Sequence, residues 1–260
     1  MKNVTSNDGT EIAIDESGDG PPVILVCGGS VDRWSNAGLA ALLAEHFTVL
    51  NYDRRGRGDS GDTLPYAVER EIEDVAAVID SAGGSACLYG SSSGAALALE
   101  AAARGLPITR LALWEPPWMA DESAPFPPAD TAGTYERLVA EGRRGDAVEY
   151  FMAQVVRMPP EFVAWARNEP FWAGQEAIAH TLAYDAYVMG DYKLPRERVA
   201  GVATPTIVLS GGASPDWIQT TAETVAALMP DGTYRNLEGQ QHNVDPAVLA
   251  PPLVDFFQRP

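Results

Sequence analysis

Residues 90–94 read Gly-Ser-Ser-Ser-Gly, and this run contains the serine whose surroundings best fit a nucleophile. Only Ser92 has glycine both two positions before it and two positions after it. The apolar run at 86–89 predicts a buried strand, and the alanine- and leucine-rich stretch from Ala95 predicts a helix. So short a turn strains its central residue and needs neighbours without side chains. We therefore expect the turn to present the Ser92 hydroxyl above the sheet edge, beside the first N–H groups of the helix.

The same composition is also typical of a flexible linker. A linker has no reason to separate a buried strand from a helix in the middle of a compact chain, so the pattern favours a functional turn. Ser91 and Ser93 lack the flanking glycines and are expected to be structural.

The length and charge of the chain limit the classes of protein to which it can belong. With 260 residues, 46% of them hydrophobic, it can form one large α/β domain with an inserted subdomain. The formal net charge of −18 disfavours nucleic acid and anionic membranes as partners, because both would repel the chain. The N-terminus lacks the apolar core of a signal peptide and no later stretch has the length of a membrane span, so a cytoplasmic protein is expected.

The two cysteines, Cys27 and Cys87, fall in apolar runs that predict strands. Their spacing is not that of metal ligands, so we expect buried, reduced thiols rather than a disulfide or a metal site. Neither a metal nor a cofactor is expected.

The remaining apolar runs and helical patterns alternate along the chain. Strands are predicted at 11–16, 23–26, 48–52, 108–114, 206–210 and 233–237, and helices at 39–47, 66–81, 218–229 and 247–257. This alternation predicts a mostly parallel sheet with helices on both faces, on which ligands bind outside the carboxyl ends of the strands. The Ser92 turn, the Gly28-Gly29 loop, Glu115 and the segments 210–216 and 238–242 all follow predicted strands, so we expect them to converge.

Residues 117–198 show no pattern of a buried strand and consist of helical patches rich in aromatic residues. We predict a helical cap over 117–198, inserted into a core formed by 1–116 and 199–260. Because the underside of a lid faces the site, some of its aromatic residues should line a pocket, and Trp118 and Trp172 are the candidates.

The segment 53–61 is charged and rich in glycine. Arg54, Arg55 and Arg57 could bind phosphate, but aspartates lie between and beside them, at Asp53, Asp59 and Asp62. This arrangement favours local ion pairs that shape the loop.

The order of these features resembles the α/β-hydrolase fold superfamily along nearly the whole chain. The resemblance is carried by the Gly28-Gly29 loop, the segment Asp-Arg-Arg-Gly-Arg-Gly-Asp-Ser, the Gly-x-Ser-x-Gly turn, the cap and the late Gly-Gln-Gln-His. It implies a triad of serine, acid and histidine with the histidine last in the chain, hence Ser92 as nucleophile and His242 as base. A structural histidine is the alternative for His242. The other histidines fit less well, because His46 closes an early helix and His180 lies in the cap.

The acid of the implied triad departs from the common pattern. Many relatives have an aspartate in the loop after the strand that follows the cap, and the aligned residue here is Ser214, which cannot supply the charge. Glu115 follows the strand before the cap, the position from which a group of haloalkane dehalogenases supplies the acid, and it is favoured. Asp216 is the alternative, and an incomplete triad is the remaining possibility. Without a catalytic role, Glu115 would form a salt bridge at the base of the cap and Asp216 would cap a helix.

The resemblance also implies an oxyanion hole made by the backbone N–H groups of Gly29 and Ser93. Cys27 occupies the place where many relatives have a histidine before the glycine, so no side-chain role is expected there.

The sequence therefore favours a cofactor-independent serine hydrolase that cleaves an uncharged or mildly polar ester, thioester or lactone through an acyl-enzyme. A serine nucleophile disfavours dehalogenase and epoxide hydrolase chemistry, which uses an aspartate in this fold, whereas C–C bond hydrolysis and perhydrolysis remain open. The alternative is a small-molecule binding protein or weakly active receptor that keeps the fold and the pocket. The sequence does not indicate an oligomeric state.

Overall fold

The computed structural model describes residues 1–122 and 124–259. Over these residues the chain forms an eight-stranded sheet with the order β1-β2-β4-β3-β5-β6-β7-β8. The strands are β1 (Lys2–Thr5), β2 (Glu11–Ser17), β3 (Pro22–Val26), β4 (Thr48–Tyr52), β5 (Ala86–Ser91), β6 (Ile108–Trp114), β7 (Thr206–Gly211) and β8 (Gly232–Leu237). β2 pairs antiparallel with β1 and β4, and the other neighbours are parallel. The predicted α/β class with a mostly parallel sheet is confirmed.

Helices cover both faces of the sheet. They are α1 (Ala37–Leu43), α2 (Val68–Ser81), α3 (Ser93–Ala103), α10 (Asp216–Leu228) and α11 (Pro246–Phe257). The continuous apolar run of β3 is buried on both sides because successive side chains point to opposite faces. Ile24 and Val26 join the core layer that also contains side chains of α2, α3 and α10, and Val23 and Leu25 join the layer with side chains of α1 and α11.

The segment between β6 and β7 is helical. It contains α4 (Thr131–Ala140), α5 (Arg144–Tyr150), α6 (Pro160–Ala166), α7 (Trp172–Ala177), α8 (Thr181–Met189) and α9 (Arg196–Ala200), with a π-helical turn at Phe151–Val155. Much of it packs around a separate apolar core that includes Tyr135, Leu138 and Leu182. The division into core and cap stays a prediction, and its boundary at 198 falls inside α9, which packs against α3 and α10.

The N-terminal strand β1 is a correction to the sequence prediction, which places the first strand at 11–16. The four residues of β1 alternate between exposed and half-buried, so they carry no apolar signal. They pair with β2, with Lys2 opposite Ile14 and Thr5 opposite Glu11, and this pairing with a stronger strand defines β1.

Cys27 and Cys87 are both buried and free, as predicted. Burial raises the pKa of the Cys87 thiol, which keeps it protonated near neutral pH. Among the helices that the structure describes, none is both long enough and apolar enough to cross a membrane.

Candidate active site

Ser92 occupies the turn between β5 and α3, with β5 ending at Ser91 and α3 beginning at Ser93. Its backbone has φ 55° and ψ −126°, a conformation that residues with side chains rarely adopt. The turn is held on both sides, because the Ser92 N–H donates to the carbonyl of Trp114 at 2.9 Å and its own carbonyl accepts from Ala95 N at 2.9 Å. The strained turn expected from the sequence is therefore present at Ser92.

The two flanking glycines are required by close backbone contact. A Cβ atom on Gly90 would overlap the carbonyl of Gly94, and a Cβ atom on Gly94 would overlap the carbonyl of Cys27, in the loop after β3. The absence of side chains therefore lets α3 begin directly against β5 and against the Gly28-Gly29 loop.

Replacing Gly94 by alanine is expected to lower the free energy of unfolding by about 3 kcal/mol, because the clash is with backbone that cannot move aside. Urea denaturation of both proteins measures this loss. The control is Gly174→Ala in α7, where an added Cβ has open space within 4 Å. That change should leave the unfolding free energy unchanged or raise it by up to about 1 kcal/mol; equal losses for the two variants would contradict the steric argument.

Glu115 follows β6 directly and contacts His242. Its side chain is fully buried, and Oε2 lies 2.5 Å from His242 Nδ1. The other oxygen, Oε1, accepts a hydrogen bond from the backbone N–H of Gly211 at 2.7 Å. With the Glu115 carboxylate as the acceptor of this bond, Nδ1 of His242 is the donor, and in the neutral imidazole Nε2 is then the nitrogen that can accept a proton.

Two further features fix this pair. Glu115 has φ 45°, which turns the chain sharply after the strand, and the indole N–H of Trp114 donates to the carbonyl of His242 at 2.9 Å. The consecutive residues Trp114 and Glu115 therefore hold the backbone and the imidazole of His242, respectively.

The alternative acid, Asp216, lies elsewhere. It is the first residue of α10 and borders a surface cleft together with Ala120 and Trp217. Ser214, at the position where many relatives have the acid, is buried, and its hydroxyl has no hydrogen-bond partner among the described residues. The structure thus brings Glu115, and not Asp216, to His242.

Two cavities meet at Ser92. They have volumes of about 390 and 340 Å³, the size of small-molecule sites. Gly29, Ser92, Phe151, Val156 and His242 border both of them. In the described part of the chain no hydrogen bond joins the Ser92 hydroxyl to His242; in unliganded active sites such bonds are often long and shorten when substrate binds.

Trp118 and Trp172, expected to line the pocket, are placed elsewhere by the structure. Trp118 is 1% exposed and packs in the core layer on the α3 side of the sheet, where its carbonyl accepts from Thr221. Trp172 lies in the separate core of the helical segment, and its indole N–H donates to Glu176. Neither borders the two cavities, because these large side chains fill the helical packing itself. The aromatic residues that do border them are Tyr89, Trp114, Tyr135, Phe151, Phe162, Phe171, Tyr192 and Trp217.

The arginines of the segment 53–61 form ion pairs, but their partners are more distant than the sequence predicts. Within the described residues Arg54 pairs with Glu71 on α2 and Arg55 pairs with Asp74. Both Arg54 and Arg57 pair with Asp185 on α8. An arginine side chain is long enough to reach the helices α2 and α8, so closeness in sequence does not decide its partner.

Asp53 and Asp59 instead bind Arg33, in the 3-10 turn before α1. Asp62 accepts a hydrogen bond from the hydroxyl of Tyr184 at 2.9 Å and lies 3.4 Å from His180. The loop is therefore tied to α2, to α8 and to the 3-10 turn, and its three arginines are paired with carboxylates rather than available to a phosphate.

Gly29 and Ser93, the expected oxyanion-hole residues, lie side by side at the cavities. An added Cβ on Gly29 would sit 3.4 Å from Ser93 Oγ and 3.1 Å from an oxygen of Asp185. Sequence reasoning missed Asp185. Its signal was a single acidic residue inside the otherwise apolar or uncharged stretch Thr181–Met189.

The sequence and the fold are similar to those of known proteins. Residues 23–252 match the model of the alpha/beta hydrolase family. A solved alpha/beta hydrolase from Sphaerobacter thermophilus is 56% identical, with a TM-score of 0.94 over 99% of this chain and 100% of that one. No protein of curated function matches the chain.

Two more distant structures share the fold alone. An enol-lactonase from Burkholderia xenovorans is 22% identical with a TM-score of 0.72, over 99% of this chain and 100% of its own. A thermophilic esterase from Thermogutta terrifontis is 24% identical with a TM-score of 0.71, over 97% of this chain and 94% of its own. Since the family model spans the Ser92 turn, the helical segment and most of the sheet, the chain belongs to the alpha/beta hydrolase family.

Proposed function

We propose that this chain is a serine hydrolase that cleaves a small-molecule ester, thioester or lactone through an acyl-enzyme on Ser92. The observation that carries the proposal is the buried carboxylate of Glu115 at 2.5 Å from His242 Nδ1, with His242 and Ser92 bordering the same two cavities. A carboxylate in that position fixes the tautomer of the imidazole and stabilises its protonated form.

In the proposed reaction Ser92 Oγ attacks the carbonyl carbon and its proton passes to His242 Nε2. The carbonyl electrons move to the oxygen, which the N–H groups of Gly29 and Ser93 stabilise. The tetrahedral intermediate then collapses, and the leaving alcohol or thiol takes the proton from His242. Water attacks the acyl-enzyme with His242 as base, and the carboxylic acid is released as Ser92 is restored.

The shape and the walls of the site support a substrate with two mainly apolar arms. The carbonyl would lie at Ser92, where the two cavities meet, and each arm would occupy one of them. Their apolar walls include Leu39, Met152 and Leu249 in the first cavity and Met119, Leu182 and Ile218 in the second. Such walls favour uncharged groups, since burying an unpaired charge is costly.

A receptor that only binds a small molecule is a weaker interpretation of this site. A pure binder needs neither a serine held at φ 55° nor a buried glutamate bonded to a histidine. Strained backbone persists where the surrounding structure requires it, and here it presents a hydroxyl to the cavities.

The experiment that tests the proposal is a panel of 4-nitrophenyl esters, thioesters and lactones of increasing acyl length, assayed with the wild-type protein and with Ser92→Ala. We expect turnover of at least one class by the wild type and none above background by the variant. Equal rates for the two proteins, or no turnover of any class, would contradict it.

A further inference from the structure

Asp185 links the helical segment to the loops that carry the expected oxyanion hole. It lies on α8, and its side chain is only 9% exposed. One oxygen accepts from Arg54 Nη1 and from the hydroxyl of Ser93, both at 2.7 Å, and the other accepts from Arg57 Nη2 at 2.8 Å. No step of the proposed reaction uses this carboxylate.

Arg57 extends the link to Gly29. While Nη2 binds Asp185, Nη1 donates to the carbonyl of Gly28 at 2.6 Å and to that of Val31 at 3.2 Å. The Gly28 carbonyl and the Gly29 N–H belong to one peptide unit, which is planar and, in its trans form, directs them to opposite sides. Holding the carbonyl on Arg57 therefore fixes the direction of the Gly29 N–H.

Asp185 also fixes Ser93, whose N–H is the other expected donor of the oxyanion hole. Its hydroxyl donates to Asp185 and also accepts from Arg54 Nη1 at 3.2 Å. Arg54 is in turn held by Glu71, whose oxygens accept from Nε at 2.6 Å and from Nη2 at 2.8 Å. Both donors thus rest on a cluster of two arginines and two carboxylates, defined here as Arg54, Arg57, Glu71 and Asp185.

The charges within this cluster balance. Burial raises the pKa of Asp185, but Arg57 and Arg54 outweigh it and hold that pKa below its ordinary value. Asp185 is therefore ionised near neutral pH, and its charge keeps both guanidinium groups in place. Separating one partner of a buried ion pair would leave an uncompensated charge in the interior, which is strongly unfavourable. The four side chains therefore keep their arrangement as long as α8 packs against the core.

We propose that Asp185 is a positioning residue that orients the N–H groups of Gly29 and Ser93, so that the helical segment assembles the oxyanion hole as well as covering the site. This inference rests on the proposed function. It predicts that loss of the carboxylate lowers binding of the transition state more than binding of the substrate.

The test compares Asp185→Asn with Asp62→Asn. Asp62 is the matched control, because it directly follows the segment 53–61 and also contacts α8, through Tyr184, but its partners in the described chain are Tyr184 and His180 and include neither Arg57 nor Ser93. For Asp185→Asn we expect kcat to fall about 30-fold with KM within threefold of the wild type, and for Asp62→Asn we expect kcat within twofold.

A second readout separates positioning from general damage. A trifluoromethyl ketone analogue of the best substrate forms an oxyanion on Ser92, whereas the matching methyl ketone binds mainly without one. In Asp185→Asn the inhibition constant of the trifluoromethyl ketone should rise by about the same factor as kcat falls, while that of the methyl ketone changes less than threefold. Equal weakening of both inhibitors, or unchanged kcat, would overturn the inference.

Ser93→Ala covers the case in which Asp185→Asn does not fold. It removes one contact of Asp185 but leaves the ion pairs and the backbone N–H intact, and we expect kcat to fall about fivefold with the same selective loss of trifluoromethyl ketone affinity. No selective loss would overturn the inference. If the wild type itself hydrolyses no ester, the proposed function fails. The positioning claim is then decided by crystal structures, in which the Gly28 carbonyl should leave Arg57 in Asp185→Asn and stay on it in Asp62→Asn.

Discussion

Replacing Ser92 by alanine is expected to lower kcat on the best ester about 10⁵-fold, since the variant has no nucleophile to form the acyl-enzyme. Substrate binding should survive, because the cavities keep their other walls, so KM or a directly measured Kd should stay within about threefold. Stopped-flow and long-time-course assays of purified protein measure the two quantities.

Ser91→Ala is the matched control for this change. Ser91 is the last residue of β5 and borders only one of the two cavities. Its replacement should reduce kcat less than about threefold. A larger loss for Ser91→Ala than for Ser92→Ala would place the nucleophile one residue earlier and contradict the site described here.

Replacing Glu115 by glutamine is expected to lower kcat about 10³- to 10⁴-fold. The amide oxygen would keep the hydrogen bond from the Gly211 N–H, which directs the amide NH₂ group at His242 Nδ1. A donor there requires the tautomer with the proton on Nε2, so the imidazole could no longer accept the proton of Ser92. Steady-state rates and a melting curve separate this effect from unfolding.

Asp216→Asn is the control for the acid. Asp216 is exposed at the start of α10 and borders a different cleft, which shares only Trp217 with the second cavity. We expect its kcat to stay within twofold of the wild type. The reverse ranking, a large loss for Asp216→Asn and a small one for Glu115→Gln, would overturn the assignment of the acid.

The elements around the site follow from patterns that act locally. The apolar run of β3, the Gly-x-Ser-x-Gly turn and the alanine-rich start of α3 each specify their own conformation, and the order of strands and helices brings their ends to one edge of the sheet. The convergence of Ser92, Glu115 and His242 is predictable for that reason. The sequence favours Glu115 over Asp216 as the acid but does not decide between them, because the choice depends on where one side chain points after a sharp turn.

The interior of the helical segment could not be predicted in the same detail. Trp118 and Trp172 show why, since an aromatic residue on a short helix has equal reason to fill a core or to line a cavity, and only the packing of several helices decides. The role of Asp185 depends on contacts with Arg54, Arg57 and Ser93, which lie 131, 128 and 92 positions before it in the sequence. Pairs that are so far apart in sequence leave no local pattern. The aspartates close to Arg54 and Arg57 in the loop are equally plausible partners for these arginines when only the sequence is considered.

The measurement that tests the central claim most directly is labelling with a fluorophosphonate, followed by intact mass determination and peptide mapping. The predicted result is one label per chain, located on Ser92, with no label on Ser92→Ala and labelling of Glu115→Gln slowed by at least 100-fold. Absence of labelling in folded wild-type protein, or a label on Ser91 or Ser93, would contradict the proposed Ser92, His242 and Glu115 triad.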